Sequence, residues 1–278
     1  MIARVIVILI LVVAILGGTA YFGYELYLKP RKLDVEEKAQ GVVAPTPPPD
    51  PSLAAFEALK PTLELNTPEA QAALQTFLET YPESPMASAA RAALGRINAA
   101  MILSPSPSPD KTLYAVVKGD SLVKIASKFK TGAELLYAVN NLQTINLRIG
   151  QELAIPRLDT SLVIDRAAKT VTIQNAGAFV REYPIKSLKI PPTSGTVQTK
   201  VSDKLAMKGD TRVAFGTKDY EGSERFVMLS LQGVMLRGAP APAADGSEPP
   251  LPPGIVLEPA DAAEIFLLTT RGTPVTIK

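Results

Sequence analysis

The sequence predicts a multidomain α+β protein that begins with a transmembrane helix. An uncharged apolar run of about 20 residues lies near the N-terminus, long enough to span a bilayer. Proline-rich stretches divide the rest of the chain. The spacing of apolar residues changes from a helical period to the alternation of strands in the second half. A chain of 278 residues has room for at least two small domains and extensions.

Composition excludes several classes of function. The net charge is +2 and charged residues make up 20%, without the clusters of Lys and Arg typical of nucleic-acid binding. Cys and His are both absent, which excludes disulfides, thiolate catalysis, imidazole bases and zinc sites with nitrogen or sulfur ligands. No metal or cofactor is predicted. Catalysis would have to use Asp, Glu, Lys, Tyr or a hydroxyl.

The apolar run extends from Val5 to Tyr24 and, as a helix, spans about 30 Å. We interpret it as an uncleaved anchor; the alternative is a signal peptide that ends at Ala20. Lys29, Arg31 and Lys32 follow it, and a count of flanking positive charges would place the downstream chain in the cytoplasm.

Two proline-rich spacers, "APTPPPDP" and "SPSPSP", delimit the modules, and a third stretch, "APAPAADGSEPPLPP", lies inside the last one. The predicted segments are 1–32 (transmembrane anchor with flanks), 33–51 (Pro-rich linker), 52–103 (helical module), 104–111 (Pro/Ser linker), 112–157 (middle module) and 158–278 (β domain).

The helical module is predicted to be a small hairpin or bundle. Thr67 and Pro68 are typical of a helix start, and apolar residues then follow the i, i+3, i+4 pattern. "PESP" makes a turn, Ser84-Pro85 begins a second helix, and an earlier helix around Leu53 to Leu65 would be a third. The stretch "FLETYPESPMASAARAALGRI" resembles a tetratricopeptide-type unit. Either a spacer or a docking site for an envelope protein fits a single unit of this kind.

The middle module is predicted to have the order strand, helix, helix, strand. "YAVVK" and "QELAIP" are short strand patterns. Between them, one helix begins at Leu122 after the capping pair Asp120-Ser121, and another covers Ala133 to Asn140.

Residues 114–156 are similar to a LysM domain throughout. The matching positions are Tyr114, Val116, Gly119, Asp120, Ser121, Leu122, Ile125, Ala126, Phe129, Leu135, Asn140, Leu142, Ile149, Gly150, Gln151, Leu153, Ile155 and Pro156. The resemblance implies binding of N-acetylglucosamine-containing glycans, most often peptidoglycan, between the loops Gly119–Leu122 and Leu142–Ile149. The glycan-binding residues it implies are Gly119, Asp120, Ser121, Leu122, Leu142, Asn146, Leu147 and Ile149.

The chemistry of these loops suits an N-acetyl group. Backbone groups can hydrogen-bond its amide, while Leu122, Leu147 or Ile149 can pack on its methyl group. Asp120 and Ser121 could equally serve as helix caps. A glycan of the cell wall lies outside the cytoplasm, so we expect a single-pass protein of a bacterial inner membrane, with the bulk of the chain in the periplasm. That expectation overrides the charge count.

The last module, from residue 158, is predicted to be a mostly antiparallel β-sandwich with one short helix, "ADAAEIFLL". The predicted strand segments are "TSLVIDRAAKTVTIQNAGAFVREYPI", "GTVQTKVS", "RVAFGT", "RFVMLSL", "GVMLRG" and "TPVTI".

This order resembles the L,D-transpeptidase catalytic domain over about residues 160–278. The family uses a cysteine nucleophile and a histidine base, in a segment Ser-His-Gly-Cys-Ile-Arg. Laid on "LPPGIV", that segment places Pro252 at the second histidine, Gly254 at the cysteine and Val256 at the arginine, while the upstream histidine falls on Arg237. The resemblance therefore implies a non-catalytic relative.

Two alternatives stay open. An active wall-modifying enzyme would need another nucleophile, such as Ser230 or Ser247 with Lys204 or Lys208 as base, although both lysines are interpreted as solvated surface residues. An assembly scaffold would instead use the helical module and the β domain to bind proteins.

Overall fold

The computed structural model describes residues 16–21, 24, 50–192, 194–242 and 247–278. The chain divides into two compact units, Met1–Asp50 and Pro51–Lys278. Within those described ranges, no helix is long and apolar enough to cross a membrane. The predicted anchor, 5–24, and the Pro-rich linker, 33–51, lie mostly outside the described residues. Both stay predictions.

The second unit begins with the helical module, whose predicted helices are confirmed. Helix α1 covers Pro51–Leu59, α2 covers Pro68–Thr80 and α3 covers Ala87–Leu103. The Thr67 hydroxyl caps α2 by accepting a hydrogen bond from the Ala70 N–H at 3.3 Å. Phe56, Leu74 and Ile97, one from each helix, are buried in a shared apolar core.

The middle module has the predicted order. Strand β1 (Lys111–Ala115) is followed by helices α4 (Leu122–Lys128) and α5 (Ala133–Val139) and by strand β2 (Glu152–Pro156). The two strands pair antiparallel, with Tyr114 opposite Leu153. Their helices cover one face of the hairpin, and Ile125, Leu136 and Leu153 form its buried centre.

In the residues that the structure describes, the β domain contains, besides a 3-10 turn at Lys218–Tyr220, ten strands and one α-helix. They are β3 (Thr160–Asp165), β4 (Thr170–Asn175), β5 (Ala178–Pro184), β6 (Ser187–Lys189), β7 (Val197–Lys208), β8 (Thr211–Arg212), β9 (Glu224–Leu229), β10 (Met235–Gly238), β11 (Gly254–Leu257), α6 (Pro259–Leu268) and β12 (Pro274–Ile277). The sheet order is β5-β4-β3-β12-β7-β9-β10-β11-β6, with β8 paired to β7. Strand β7 pairs with β12 over residues 197–200 and with β9 from Val201 onward, and the β9 pairing contains a register shift between Val201 and Asp203. One curled sheet is therefore continuous through β7.

The structure corrects three details of the sequence prediction. In place of the expected sandwich there is a single curled sheet. Two pairs of adjacent strands in it, β3–β12 and β10–β11, run parallel. Of the predicted strand "RVAFGT", only Arg212 belongs to a strand (Thr211–Arg212), and the chain then turns at Gly216, whose φ is +84°. Strands β6 and β11 were missed, because each has only three or four residues and those of β11 were interpreted only as a replaced catalytic segment.

The helical module packs against the edge strand β5. The Asn98 amide donates to the carbonyl oxygens of Phe179 and Val180, at 3.0 and 3.2 Å, and accepts a bond from Gln71 at 2.7 Å. A Cβ placed on Gly95 would lie 3.0 Å from Cγ of Arg181, so this glycine lets helix and strand approach closely. Helix α3 thereby covers an edge whose carbonyl groups would otherwise lack partners.

The middle module shares a hydrophobic core with the β domain. Helix α5 buries apolar side chains on two faces. Leu136 packs in the module's own core, while Leu135 and Val139 belong to the core of the curled sheet. Ala154 of β2 joins the same core. Each of these side chains is at most 3% exposed. The boundary predicted at residue 157 therefore separates two modules in the sequence, but the two modules share one continuous apolar core.

Replacing Asn98 with alanine is expected to destabilise the fold by about 2–3 kcal/mol, because two buried carbonyl groups and the Gln71 amide lose their partner. The free energy of unfolding in urea measures this loss. Asn66→Ala, at an exposed position of the same module, is the control and should stay within about 0.5 kcal/mol. Equal effects of the two substitutions would contradict the role assigned to Asn98.

Candidate functional site

The structure brings the two predicted loops of the middle module side by side. Beyond the paired strands, Val116 N–H donates to the Gln151 carbonyl at 2.9 Å, and Gly150 N–H donates to the Val116 carbonyl at 2.8 Å. These bonds extend the β1–β2 hairpin to the point where both loops leave it. The loops Gly119–Leu122 and Leu142–Ile149 therefore form one surface, which we call the two-loop surface.

Hydrogen bonds from its own neighbours fix the first loop. The Asp120 carboxylate accepts bonds from the Val117 N–H and from the Tyr114 hydroxyl, each at 2.9 Å. These donors, the backbone N–H first, lower the pKa of Asp120. Gly119 has a φ of +90°, and its carbonyl accepts a bond from the Lys124 ammonium at 2.8 Å. These hydrogen bonds stabilise the turn.

The two capping residues of the sequence have different roles. The Ser121 hydroxyl is the N-cap of α4 and accepts a bond from the Lys124 N–H at 3.3 Å. Asp120 instead bonds the residues before it, so it shapes the loop rather than the helix. The capping role is therefore confirmed for Ser121 and not for Asp120, and glycan contact by either residue stays a prediction.

The second loop is anchored at its ends. Leu142 N–H donates to the Tyr137 carbonyl at 3.1 Å, and the Gln151 side chain accepts a bond from the Arg148 N–H at 3.1 Å. Leu142 and Leu147 pack against the core of the module. In the exposed middle, Asn146 N–H donates to the Thr144 hydroxyl at 3.2 Å. The side chain of Asn146 lies at the solvent face of the loop.

Exposure distinguishes the apolar candidates. Leu122 is 2% exposed and belongs to the module's core, whereas Ile149 is 71% exposed. Sequence reasoning missed three further exposed apolar side chains in or beside the loops, Val117, Val123 and Ile145. β-Branched apolar residues within otherwise polar, turn-rich segments were the signal that could have found them. Together with Ile149 they give this end of the module an apolar rim.

Gly254, which the resemblance places at the position of a nucleophile, has little room for a side chain. Gly254 begins β11 with a φ of +107°, and a Cβ placed there would lie 2.7 Å from the carbonyl oxygen of Met235. Val256, two residues on, is fully buried, and Pro252 is partly buried just before the strand. The close pairing of β10 and β11 therefore occupies the space that a side chain at residue 254 would need.

Arg237, which the resemblance places at the position of the upstream base, lies on β10 with its side chain only 19% exposed, and its buried Nε has no hydrogen-bond partner within the described residues. Its Nη2 pairs with Oε2 of Glu224 at 2.6 Å, and its guanidinium lies 4.6 Å from the centre of the Phe226 ring. In register it lies opposite Val256 of β11. The group is a positive charge with a carboxylate partner, and a guanidinium of this kind does not accept a proton.

The expectation that Lys204 is a solvated surface residue is wrong. Lys204 is partly buried, its Nζ donates to the Thr269 carbonyl at 2.9 Å, and Nζ lies 4.1 Å from the centre of the Phe266 ring. Burial lowers the pKa of Lys204 to about 8. Lys208, in contrast, pairs on the surface with Asp219 at 2.7 Å. Neither of these lysine contacts is with a serine.

Comparison with known proteins identifies the middle module. Residues 114–156 match the LysM domain. No curated protein matches the chain. Among solved structures, the chain is similar to an L,D-transpeptidase from Mycobacterium smegmatis, with 17% identity, a TM-score of 0.31 and coverage of 47% of this chain and 64% of that one. It is also similar to L,D-transpeptidase 1 of Mycobacterium tuberculosis, with 20% identity, a TM-score of 0.29 and coverage of 46% of this chain and 66% of that one. For an L,D-transpeptidase from Stackebrandtia nassauensis, the identity is 11%, the TM-score is 0.30, and the coverage is 74% of this chain and 76% of that one. The chain thus spans less than two thirds of the first two structures.

Adding a side chain at residue 254 is expected to destabilise the β domain. Gly254→Ala combines a positive φ with a contact to backbone, so it should cost about 2–4 kcal/mol. Gly272→Ala is the matched control, because Gly272 has a φ of +93° and open space around its Cβ position. Thermal unfolding of both variants measures the difference. A loss no greater at residue 254 than at residue 272 would contradict the steric account.

Lys204 is expected to make stability depend on alkaline pH. Its folded pKa of about 8 is below its ordinary value of 10.5, so between those values the unfolded chain binds more protons and stability rises with pH. Lys204→Met should raise stability at pH 7, by at most about 3 kcal/mol, and should flatten the rise between pH 8 and 10.5. Urea unfolding across this range tests both effects, with the exposed Lys208→Met as control. A rise that persists in Lys204→Met would contradict the assignment.

Proposed function

We propose that this chain is a cell-envelope protein that binds peptidoglycan through its LysM domain. The observation that carries the proposal is the LysM match at residues 114–156, on a module whose two loops lie together with exposed apolar side chains beside them. The ligand is a glycan that contains N-acetylglucosamine. The two-loop surface is its binding site.

The loops offer the groups that such a sugar needs. An N-acetyl group carries one N–H donor, one carbonyl acceptor and a methyl group. Exposed loop backbone around Gly119 and Asn146 supplies donors and acceptors for the amide, and Ile149 with Ile145 supplies apolar area for the methyl group and the sugar face. The Asp120 bonds keep the first loop preorganised, which lowers the entropic cost of binding.

For the β domain we propose a non-catalytic L,D-transpeptidase-like role. The sequence resemblance over residues 160–278 supports the family assignment, and the absence of Cys and His from the chain removes that family's nucleophile and bases. The geometry at Gly254 supports the same conclusion, because the replaced position is closed by the Met235 carbonyl. Arg237 pairs with Glu224 and Val256 is buried, so neither position offers a proton acceptor or a nucleophile.

The location follows from the ligand. A protein that binds wall glycan lies outside the cytoplasm, and the apolar run Val5–Tyr24 has the length of a membrane anchor. We therefore propose a single-pass protein of a bacterial inner membrane with residues 33–278 in the periplasm. Tethering would compensate for the modest affinity expected of a single small glycan site.

Glycan binding is tested with Ile149→Ala. Loss of exposed apolar contact area should weaken binding of the N-acetylglucosamine hexamer by about three- to ten-fold, measured by isothermal titration calorimetry on the full chain. Leu113→Ala is the control, since Leu113 is 55% exposed on β1 and lies outside both loops. Its affinity should equal that of the wild type. Absence of binding by the wild-type chain to both hexamer and purified sacculi would refute the proposed function.

The non-catalytic assignment is tested with wall fragments. Purified chain incubated with tetrapeptide-containing fragments and a D-amino acid should leave the fragments unchanged by mass spectrometry, because no thiolate is available. An active L,D-transpeptidase, assayed in parallel, is the control. Exchange of the terminal D-amino acid by the chain would overturn the assignment, and loss of that exchange in Lys204→Met would identify the alternative base.

A further inference from the structure

A loop of the β domain contacts the glycan-binding module at its second loop. The segment between β8 and β9 places Phe215 against the apolar core of the LysM domain. The Phe215 ring meets the ring of Tyr137 edge-on, with centroids 5.5 Å apart, and that of Tyr220 at 5.2 Å. The Tyr220 hydroxyl donates to the carboxylate of Glu134 on α5 at 3.4 Å. Aromatic and polar contacts therefore join this loop to the side of α5.

Gly216, the next residue, contacts the exposed middle of the second loop. A Cβ placed on Gly216 would lie 2.9 Å from Cδ1 and 3.1 Å from Cγ2 of Ile145. Gly216 has a φ of +84°, so both its conformation and its space favour glycine. Ile145 is 43% exposed, and the rest of its surface is covered in part by this contact. The backbone of the β domain is thus a support for the Ile145 side chain.

The contact with Gly216 lies at the middle of the second loop, residues 144–146, which has fewer hydrogen bonds to the rest of the module than the ends of the loop have. The ends of the loop are held by backbone bonds from Leu142 and Gly150 to the body of the module. The bonds given by its middle, such as Asn146 N–H to Thr144, are short-range and exposed. A contact from outside the module is therefore well placed to set the position of residues 144–146 relative to the first loop.

We propose that Phe215 and Gly216 are positioning residues for glycan binding, so that the β domain sets the geometry of the two-loop surface. The proposal rests on the proposed function of that surface. It adds that the LysM domain of this chain does not bind as a self-contained module, because its affinity depends on a loop that lies outside residues 114–156, in the β domain. The shared core of Leu135, Val139 and Ala154 holds the two parts in the register that this contact requires.

The test uses two matched glycines of the same loop in the full chain. Gly222 has a φ of +75° and no atom within 4 Å of its Cβ position, so Gly222→Val carries the conformational cost without the contact. Gly216→Val carries the cost and also displaces Ile145. We expect Gly216→Val to weaken binding of the N-acetylglucosamine hexamer by about five-fold or more, and Gly222→Val to leave it unchanged. The midpoint temperature of thermal unfolding should be lowered in both variants.

A double-mutant cycle separates positioning from general destabilisation. In an Ile145→Ala background, Gly216→Val should weaken binding much less, because the side chain that it displaces is absent. Phe215→Ala should also weaken binding, and Phe215→Leu, which keeps apolar volume against Tyr137, should restore most of it. If Gly216→Val does not fold, Gly216→Ala and Gly222→Ala take their places in the same comparison.

The outcomes are distinct. Weakened binding in Gly216→Val alone, with coupling to residue 145, supports the proposal. Wild-type affinity in Gly216→Val and Phe215→Ala overturns it and leaves the proposed function intact. Equal weakening in Gly216→Val and Gly222→Val also overturns it, because strain in the loop would then explain the loss. If the wild-type chain binds neither hexamer nor sacculi, both this proposal and the proposed function fail.

Discussion

The arrangement of this protein depends on the burial of apolar side chains across a module boundary. Leu135, Val139 and Ala154 belong by sequence to the LysM domain, and by contact to the core of the curled sheet. Full burial of such side chains contributes about 1.5–3 kcal/mol each for the leucine and valine. Separating the modules would expose them, so the two behave as one compact unit, in agreement with the undivided range Pro51–Lys278.

Because of this shared core, the β domain has a structural role. The sheet of the β domain is the base against which both other modules pack. Helix α3 is held on one edge of the sheet by Asn98, and the LysM domain is held by the Phe215 contacts. A rigid base of this kind fixes the direction in which a bound glycan strand would run relative to the rest of the chain.

Sequence patterns predicted the elements well and their mutual packing poorly. The helices at Pro68 and Leu122 followed from capping residues and apolar spacing, which are local signals. The shared core could not be predicted, because the spacing that puts Leu135 and Leu136 on a helix does not say which partner each one faces. Lys204 was misjudged for the same reason, since only tertiary contacts with α6 bury it. At the glycan site, the loops were found from the resemblance, whereas Ile145 was found only from its exposure.

The central claim is that one surface, made of the two LysM loops and supported by the β domain, binds N-acetylglucosamine glycan. Titration of the isotope-labelled full chain with the hexamer, followed by amide chemical shifts, tests it most directly. The account predicts shifts at Val117–Leu122 and Leu142–Gly150 that saturate together, with smaller shifts at Phe215 and Gly216. Absence of shifts in both loops at saturating hexamer, or shifts confined to other parts of the chain, would contradict it.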